Sequence, residues 1–168
     1  MREGKAKVLS EAEFKRAVNT AKKYAHAKRN VALLEDINLN GSMTKGRKQR
    51  HVFLTNQRVA AAIREYIDER REQDGILFNY GSPLFRSQKG SGFSPNTLQQ
   101  LFHRMYEQAR LQGASSHSGR RTFATTLIEK GVDIKAVSTL MGHASIAMIA
   151  QYVEDNPVRL KQISADLL

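Results

Sequence analysis

Apolar residues recur along this chain at steps of three and four over long stretches and alternate over one short stretch, a pattern that predicts helices around a small sheet. Phe14, Val18, Ala21 and Ala25 form the first such stripe. Ser10 stands ahead of Glu11-Ala12-Glu13 in the form of a capping box, so a single helix is expected over residues 11–34. Its other faces carry Lys15, Arg16, Lys22, Lys23, Lys28 and Arg29, the composition of a solvated face. Short alternating runs over residues 37–54, punctuated by Asn40-Gly41 and Gly46-Arg47-Lys48, predict consecutive hairpins. Asn56 is placed to cap a helix over residues 57–73 that buries Val59, Ile63, Tyr66 and Ile67. A Gly- and Ser-rich loop over residues 74–92 then leads to Ser94-Pro95, an N-cap with proline at the first helical position. The helix that follows, to about residue 111, has its core stripe at Leu98, Leu101, Phe102, Met105 and Ala109. The last third predicts four short helices: 121–130 stopped by Gly131, 134–141 capped by Asp133, one from Ser145 to about residue 153, and one beyond Pro157. The expected fold class is α+β, mainly α-helical with a small antiparallel β-sheet, in a single domain over residues 1–168.

Charge adds a partner to this picture. Lys and Arg number 27 against 16 Asp and Glu, a net charge of +11, and a compact domain with so much excess charge repels itself unless a polyanion offsets it. Nucleic acid is the first expectation and an anionic membrane surface the second. Cysteine is absent, which excludes disulfides, thiolate zinc sites and thiol nucleophiles and suits a reducing cytoplasm. No apolar run approaches the length of a membrane span, and the polar residues after Met1 do not form a signal peptide, so a soluble cytoplasmic protein is expected.

The residues able to do chemistry collect near glycine-punctuated helix ends: His117, Arg120, His143 and Tyr152. His117-Ser118-Gly119-Arg120 sets an imidazole and a guanidinium within one turn, a pair that suits an oxyanion, although both could equally cap neighbouring carbonyls. His143 after Gly142 could likewise be a cap, and Tyr152 among Ile149, Ala150 and Val153 could be a buried ring. Lys45, Arg47, Lys48 and Arg50 crowd one hairpin tip, a target for backbone phosphates or a basic surface turn. The five histidines show no H-x-x-x-H spacing and no acidic partner set, so no metal is expected.

In order and spacing, His117-Ser118-Gly119-Arg120, Leu140-Met141-Gly142-His143 and Tyr152 resemble the H-x-x-R, L-x-G-H and nucleophilic tyrosine series of the tyrosine recombinases, the phage integrase family. Arg121-Thr122-Phe123-Ala124-Thr125, Gly131-Val132-Asp133-Ile134 and the Lys45 hairpin resemble that family's flanking elements, and the likeness runs from about Leu9 to the end. The resemblance implies site-specific DNA recombination through a 3′-phosphotyrosyl intermediate, with Tyr152 as nucleophile, Arg120 neutralising the phosphoryl oxygens, His117 in acid-base transfer, Lys45 protonating the leaving 5′-oxygen and His143 bonding the phosphate. Arg47, Lys48, Arg50 and Arg121 are the implied DNA-binding residues. Double-stranded DNA is the implied partner, a homotetramer on paired sites the implied assembly, and no metal or other cofactor is implied. No counterpart of the helical domain that precedes the catalytic domain in the family is expected in this chain.

One departure stands out. The family carries a further active-site arginine in a G-L-R-like box before the first hairpin strand, whereas here Val31-Ala32-Leu33-Leu34 passes straight to Glu35-Asp36-Ile37-Asn38-Leu39. Three accounts are open: a segment omitted from the sequence as written between residues 34 and 35, a natural or engineered deletion, or replacement by Arg29. A rival to the enzyme is a DNA-binding protein without catalysis, either a decayed recombinase or a regulator that uses the helices around Gly131 as a helix-turn-helix.

Overall fold

The computed structural model describes residues 6–40 and 56–141, with the backbone alone over 36–40. Among the described residues six α-helices follow one another: α1 (Glu11–Ala21), α2 (Ala27–Asn40), α3 (Gln57–Asp74), α4 (Pro95–Gln108), α5 (Ser118–Glu129) and α6 (Ile134–Met141). A 3₁₀ turn, Gly75–Leu77, extends α3. Among the described residues there is no strand, only a single bridge between Arg86 and Gly92.

Local signals set most helix starts. The Ser10 hydroxyl accepts from the Glu13 amide at 3.2 Å while the Glu13 carboxylate accepts from the Ser10 amide at 3.1 Å, so the capping box of α1 is complete. The Asn56 side chain accepts from the amides of Arg58 and Val59, Ser94 caps α4 ahead of Pro95, and Asp133 accepts from the amides of Lys135 and Ala136. Gly131 takes φ +79°, the left-handed conformation that ends a helix and that only glycine adopts without strain.

Two expectations are corrected. The single helix over 11–34 is two helices, because the chain folds back through residues 22–26, all of them exposed. The buried face of α1 ends at Ala21, and Ala25, which continues the stripe in sequence, has nothing to pack against. His26 at φ +59° makes the reversal, and Asn30 fastens it by donating from its side chain to the Ala25 carbonyl at 3.2 Å. Packing of α2 as a separate rod outweighs the weak preference of a marginal stretch to remain helical. The strand expected from residue 37 is helical through Asn40, and the rest of the expected hairpins, residues 41–54, lies outside the described residues. The two helices expected beyond residue 144 lie outside them as well.

Helix α2 is the axis of the described fold and touches α1, α3 and α5. Leu33 and Leu34 join Phe14, Val18, Leu98, Phe102 and Met105 in one core, while Ala32 joins Val59, Ile63 and Tyr66 in a second. Helices α5 and α6 close on a third, made of Ala124, Ile128, Val137 and Met141. Partway along this frame Arg70 is 94% buried and gathers the loop after α3: it donates to the carbonyls of Pro83 and Leu84 at 2.8 and 2.9 Å and to the Asp74 carboxylate and Ser82 hydroxyl at 3.2 and 3.1 Å.

Candidate active site

Helix α5 begins three residues before its expected start, which puts Arg120 inside the helix and His117 at its N-cap. A compact turn fixes this end. The Ser115 amide donates to the fully buried Ser118 hydroxyl at 2.9 Å, the Ser118 amide donates to the Ser115 carbonyl at 2.9 Å, and the His117 amide donates to the Ser115 hydroxyl at 3.3 Å. Small buried residues, Ser118, Gly119 and Ala124, let α5 lie against α2. His117 is left exposed, and its side chain makes no capping hydrogen bond. The plainer role of a capping imidazole is therefore not the one it fills.

Arg120, half-buried one turn further on, donates through Nη2 to the Met141 carbonyl at 2.5 Å. One guanidinium thus ties the start of α5 to the last residue of α6, and the next residues in the chain are Gly142 and His143. The two motifs 21 residues apart in sequence meet at this point. Arg121 turns the other way: it is 91% buried, and its Nη1 donates to the Ala6 carbonyl at 2.7 Å while Thr122 beside it accepts from the Leu9 amide at 2.8 Å. That placement departs from the expectation of a DNA-facing cation and fastens the N-terminal segment to α5. Tyr152, His143, Lys45, Arg47, Lys48 and Arg50 lie outside the described residues.

The structure also bears on the missing arginine. Helix α2 runs unbroken across Leu34-Glu35, and Glu35, 97% buried, is met by Arg58 of α3, whose Nε and Nη2 donate to its carboxylate at 3.2 and 3.1 Å. Arg29, the one arginine of α2, is committed elsewhere: Nε and Nη2 donate to the Asn30 side-chain oxygen, Nη1 donates to the Arg86 carbonyl at 3.3 Å, and its plane lies 5.3 Å from the Phe93 ring centre. Its hydrogen bonds are to Asn30 and Arg86, and none is to His117 or Arg120.

Sequence reasoning passed over two constellations. The Arg70 hub was half-readable, since Asp74 stands four residues on in the same helix, but its loop acceptors carry no local signal. A cleft lined by His26, Arg29, Lys89, Phe93, Ser94 and Arg104 joins elements more than 60 residues apart in the chain and has no sequence signature at all. Among the described residues no group of three His, Asp or Glu side chains could hold a metal ion, and no helix is long and apolar enough to cross a membrane.

Residues 18–159 match the model of the phage integrase family, a span that takes in Lys45, His117, Arg120, His143 and Tyr152 together. The chain belongs to the phage integrase family. Among curated members it is similar to the tyrosine recombinase XerC of Pelobacter propionicus, 33% identical over 135 residues that make up 77% of this chain and 43% of the relative. It is similar also to the tyrosine recombinase XerD of Pseudomonas putida, 34% identical over 143 residues, 79% of this chain and 45% of the relative. This integrase-family chain therefore spans less than half the length of those relatives. Its fold is that of the crystal structure of XerA recombinase, with a TM-score of 0.76 at 23% identity over 99% of this chain and 65% of that one. It is equally that of the site-specific recombinase XerH bound to palindromic difH substrate in a post-cleavage complex, with a TM-score of 0.73 at 24% identity over 94% of this chain and 52% of that one.

Proposed function

We propose that this integrase-family chain cleaves and rejoins double-stranded DNA in site-specific recombination. The observation that carries the reading is the Arg120 contact with the Met141 carbonyl, which brings the H-x-x-R turn and the approach to His143 to one place, with an exposed imidazole one turn away. In the proposed reaction the Tyr152 phenol oxygen attacks a backbone phosphorus and the bond to the 5′-oxygen breaks, leaving a 3′-phosphotyrosyl link and a free 5′-hydroxyl. His117 takes the phenolic proton and Lys45 supplies one to the leaving oxygen. Arg120 and His143 hold the phosphoryl oxygens as charge grows on them. The phosphotyrosyl bond conserves the energy of the broken linkage, so rejoining is near neutral and neither a metal nor a nucleotide is needed. In this reading Lys45, Arg47, Lys48 and Arg50 form the basic tip of the hairpin expected around Gly46-Arg47-Lys48, part of the small antiparallel sheet of the expected α+β fold. The single catalytic domain works in the cytoplasm as a homotetramer on paired sites, with residues 157–168 exchanged between neighbours. Arg121 serves the DNA surface indirectly, by holding the N-terminal segment in place.

A second reading is favoured by one observation. With α2 continuous through Leu34-Glu35 and the hydrogen bonds of Arg29 turned to Asn30 and Arg86, this reading takes the family's other arginine to be lost. Loss of one preorganised donor to a developing oxyanion costs about 10²-fold to 10³-fold in rate, which would leave a DNA-binding protein with residual or no cleavage.

A nicked suicide duplex separates the two on a denaturing gel. Tyr152→Phe is expected to abolish any covalent protein–DNA adduct while changing duplex affinity less than about twofold; an adduct that persists in that variant removes Tyr152 as nucleophile. Intact mass on the same sample completes the test. A mass above 18.9 kDa means that a segment is left out of the sequence as written, and a peptide spanning Leu34-Glu35 tells whether it belongs there; an adduct at 18.9 kDa means that another cation has taken the arginine's place.

A further inference from the structure

The cleft beside α4 is chemically distinct from the His117–Arg120 turn and shares no residue with it. It has a volume of about 420 Å³, within the range of small-ligand sites, between the reversal at His26, the tight turn over residues 87–91 and one side of α4 from Ser94 to Gln108. Arg29, Lys89 and Arg104 line it and no Asp or Glu does. Arg29 forms its floor, 94% buried. Of its five N–H groups three are used, on the Asn30 side chain and the Arg86 carbonyl, and among the described residues no carboxylate lies within ion-pair distance. Burying a guanidinium without an anion costs several kcal/mol, and packing over Phe93 offsets only part of that. Burial holds the Arg29 guanidinium below the usual arginine range, with Arg104 adding to that pull and Tyr66 and Glu69 opposing it from outside the cleft. Arg104 and Lys89 are exposed at the rim and form no hydrogen bond or ion pair among the described residues. Ser94 caps α4 at the same mouth, so the positive end of a helix of 14 residues opens there too.

We propose that this cleft, with Arg29 as its floor and Lys89 and Arg104 as its rim, binds a phosphate oxyanion. A buried cation with no carboxylate in ion-pair contact, flanked by two free cations and a helix N-terminus with no acid in the lining, is complementary to a tetrahedral anion. Its source is a phosphodiester of duplex DNA or a free phosphate. The first rests on the DNA-binding reading above, at a position other than the one cleaved; the second does not.

Two measurements on the whole chain decide. Duplex affinity by fluorescence anisotropy is read from 50 to 300 mM KCl for wild type, for Lys89→Ala/Arg104→Ala and for Lys15→Ala/Lys22→Ala, which removes the same charge from a different groove. Inorganic phosphate is then titrated into wild type and the cleft variant by amide NMR at Gly92, Phe93 and Thr97. For a DNA phosphate the cleft variant loses about 2 from the slope of log K against log salt, the control loses less than half of that, and phosphate saturates wild type alone. Saturation by inorganic phosphate with an unchanged slope keeps the cleft and assigns it a free phosphate. An unchanged slope together with no saturable shift overturns the proposal, whether or not a Tyr152 adduct forms on suicide DNA. If wild type binds no duplex at all, the DNA reading fails while the phosphate titration still judges the cleft. Arg29→Lys keeps the buried charge without the planar fork and is expected to weaken phosphate binding at least tenfold; equal binding there would remove Arg29 from the site.

Discussion

Glu35 shows how far one side chain can alter the account of a junction. In sequence Leu34-Glu35-Asp36 is a place where a helix meets an expected strand; in the structure Glu35 is 97% buried inside α2 and depends on Arg58, itself 59% exposed, for its only cation among the described residues. Arg58→Ala strands that carboxylate, and the expected loss is about 1–3 kcal/mol of unfolding free energy in urea, at the lower end because water can reach the vacated position. Glu35→Gln in the same background should recover part of it; full additivity of the two changes would mean that the pair is not coupled. Tyr106 makes a different test. Its phenol is pushed up by burial, so the folded state holds that proton after the unfolded chain has begun to release it near pH 10. The stability tied to this group is therefore complete below about pH 10 and falls as the pH rises beyond it, by at most about 1.4 kcal/mol per pH unit. Tyr106→Phe is expected to flatten that fall, as followed by circular dichroism from pH 8 to 11; an unchanged decline would exclude Tyr106 as its source.

At the scale of elements, Gly131 is the hinge on which α6 is laid back against α5. A methyl group there meets no atom within 4 Å, so the cost of Gly131→Ala is conformational, about 1 kcal/mol for φ +79°, with Gly131→Asn costing less. A loss near 3 kcal/mol would instead point to packing. This helix end was legible in the sequence because a glycine stop, like the Ser10–Glu13 box and the Asn56, Ser94 and Asp133 caps, is settled within four residues of itself. The break at His26 was not, because it depends on α2 meeting α3 and α5 as well as the core it shares with α1, and those partners leave no local signal. The same division runs through the site. The H-x-x-R turn is local and could be read directly, whereas the contact between Arg120 and Met141, the inward turn of Arg121 and the burial of Arg29 depend on helices brought together by the fold.

For the molecule as a whole, 27 Lys and Arg residues make salt the natural probe. If about six of them meet phosphates, duplex affinity should drop about 10³-fold between 50 and 200 mM salt, and a nearly flat response would exclude backbone contact as the basis of binding. The Arg70 hub has a consequence of another kind, for digestion by trypsin. Cleavage after Arg86 requires an extended, accessible strand, yet the Arg86 amide donates to the Tyr66 hydroxyl at 3.2 Å, its carbonyl accepts from Arg29, and Arg70 grips the carbonyls of Pro83 and Leu84 a little earlier in the loop. The native chain is thus shielded at Arg86 while Lys89, three residues later in the exposed turn, is open to attack. Appearance of a fragment ending at Arg86 reports that this part of the loop has come off α3, before any change in helix content marks unfolding.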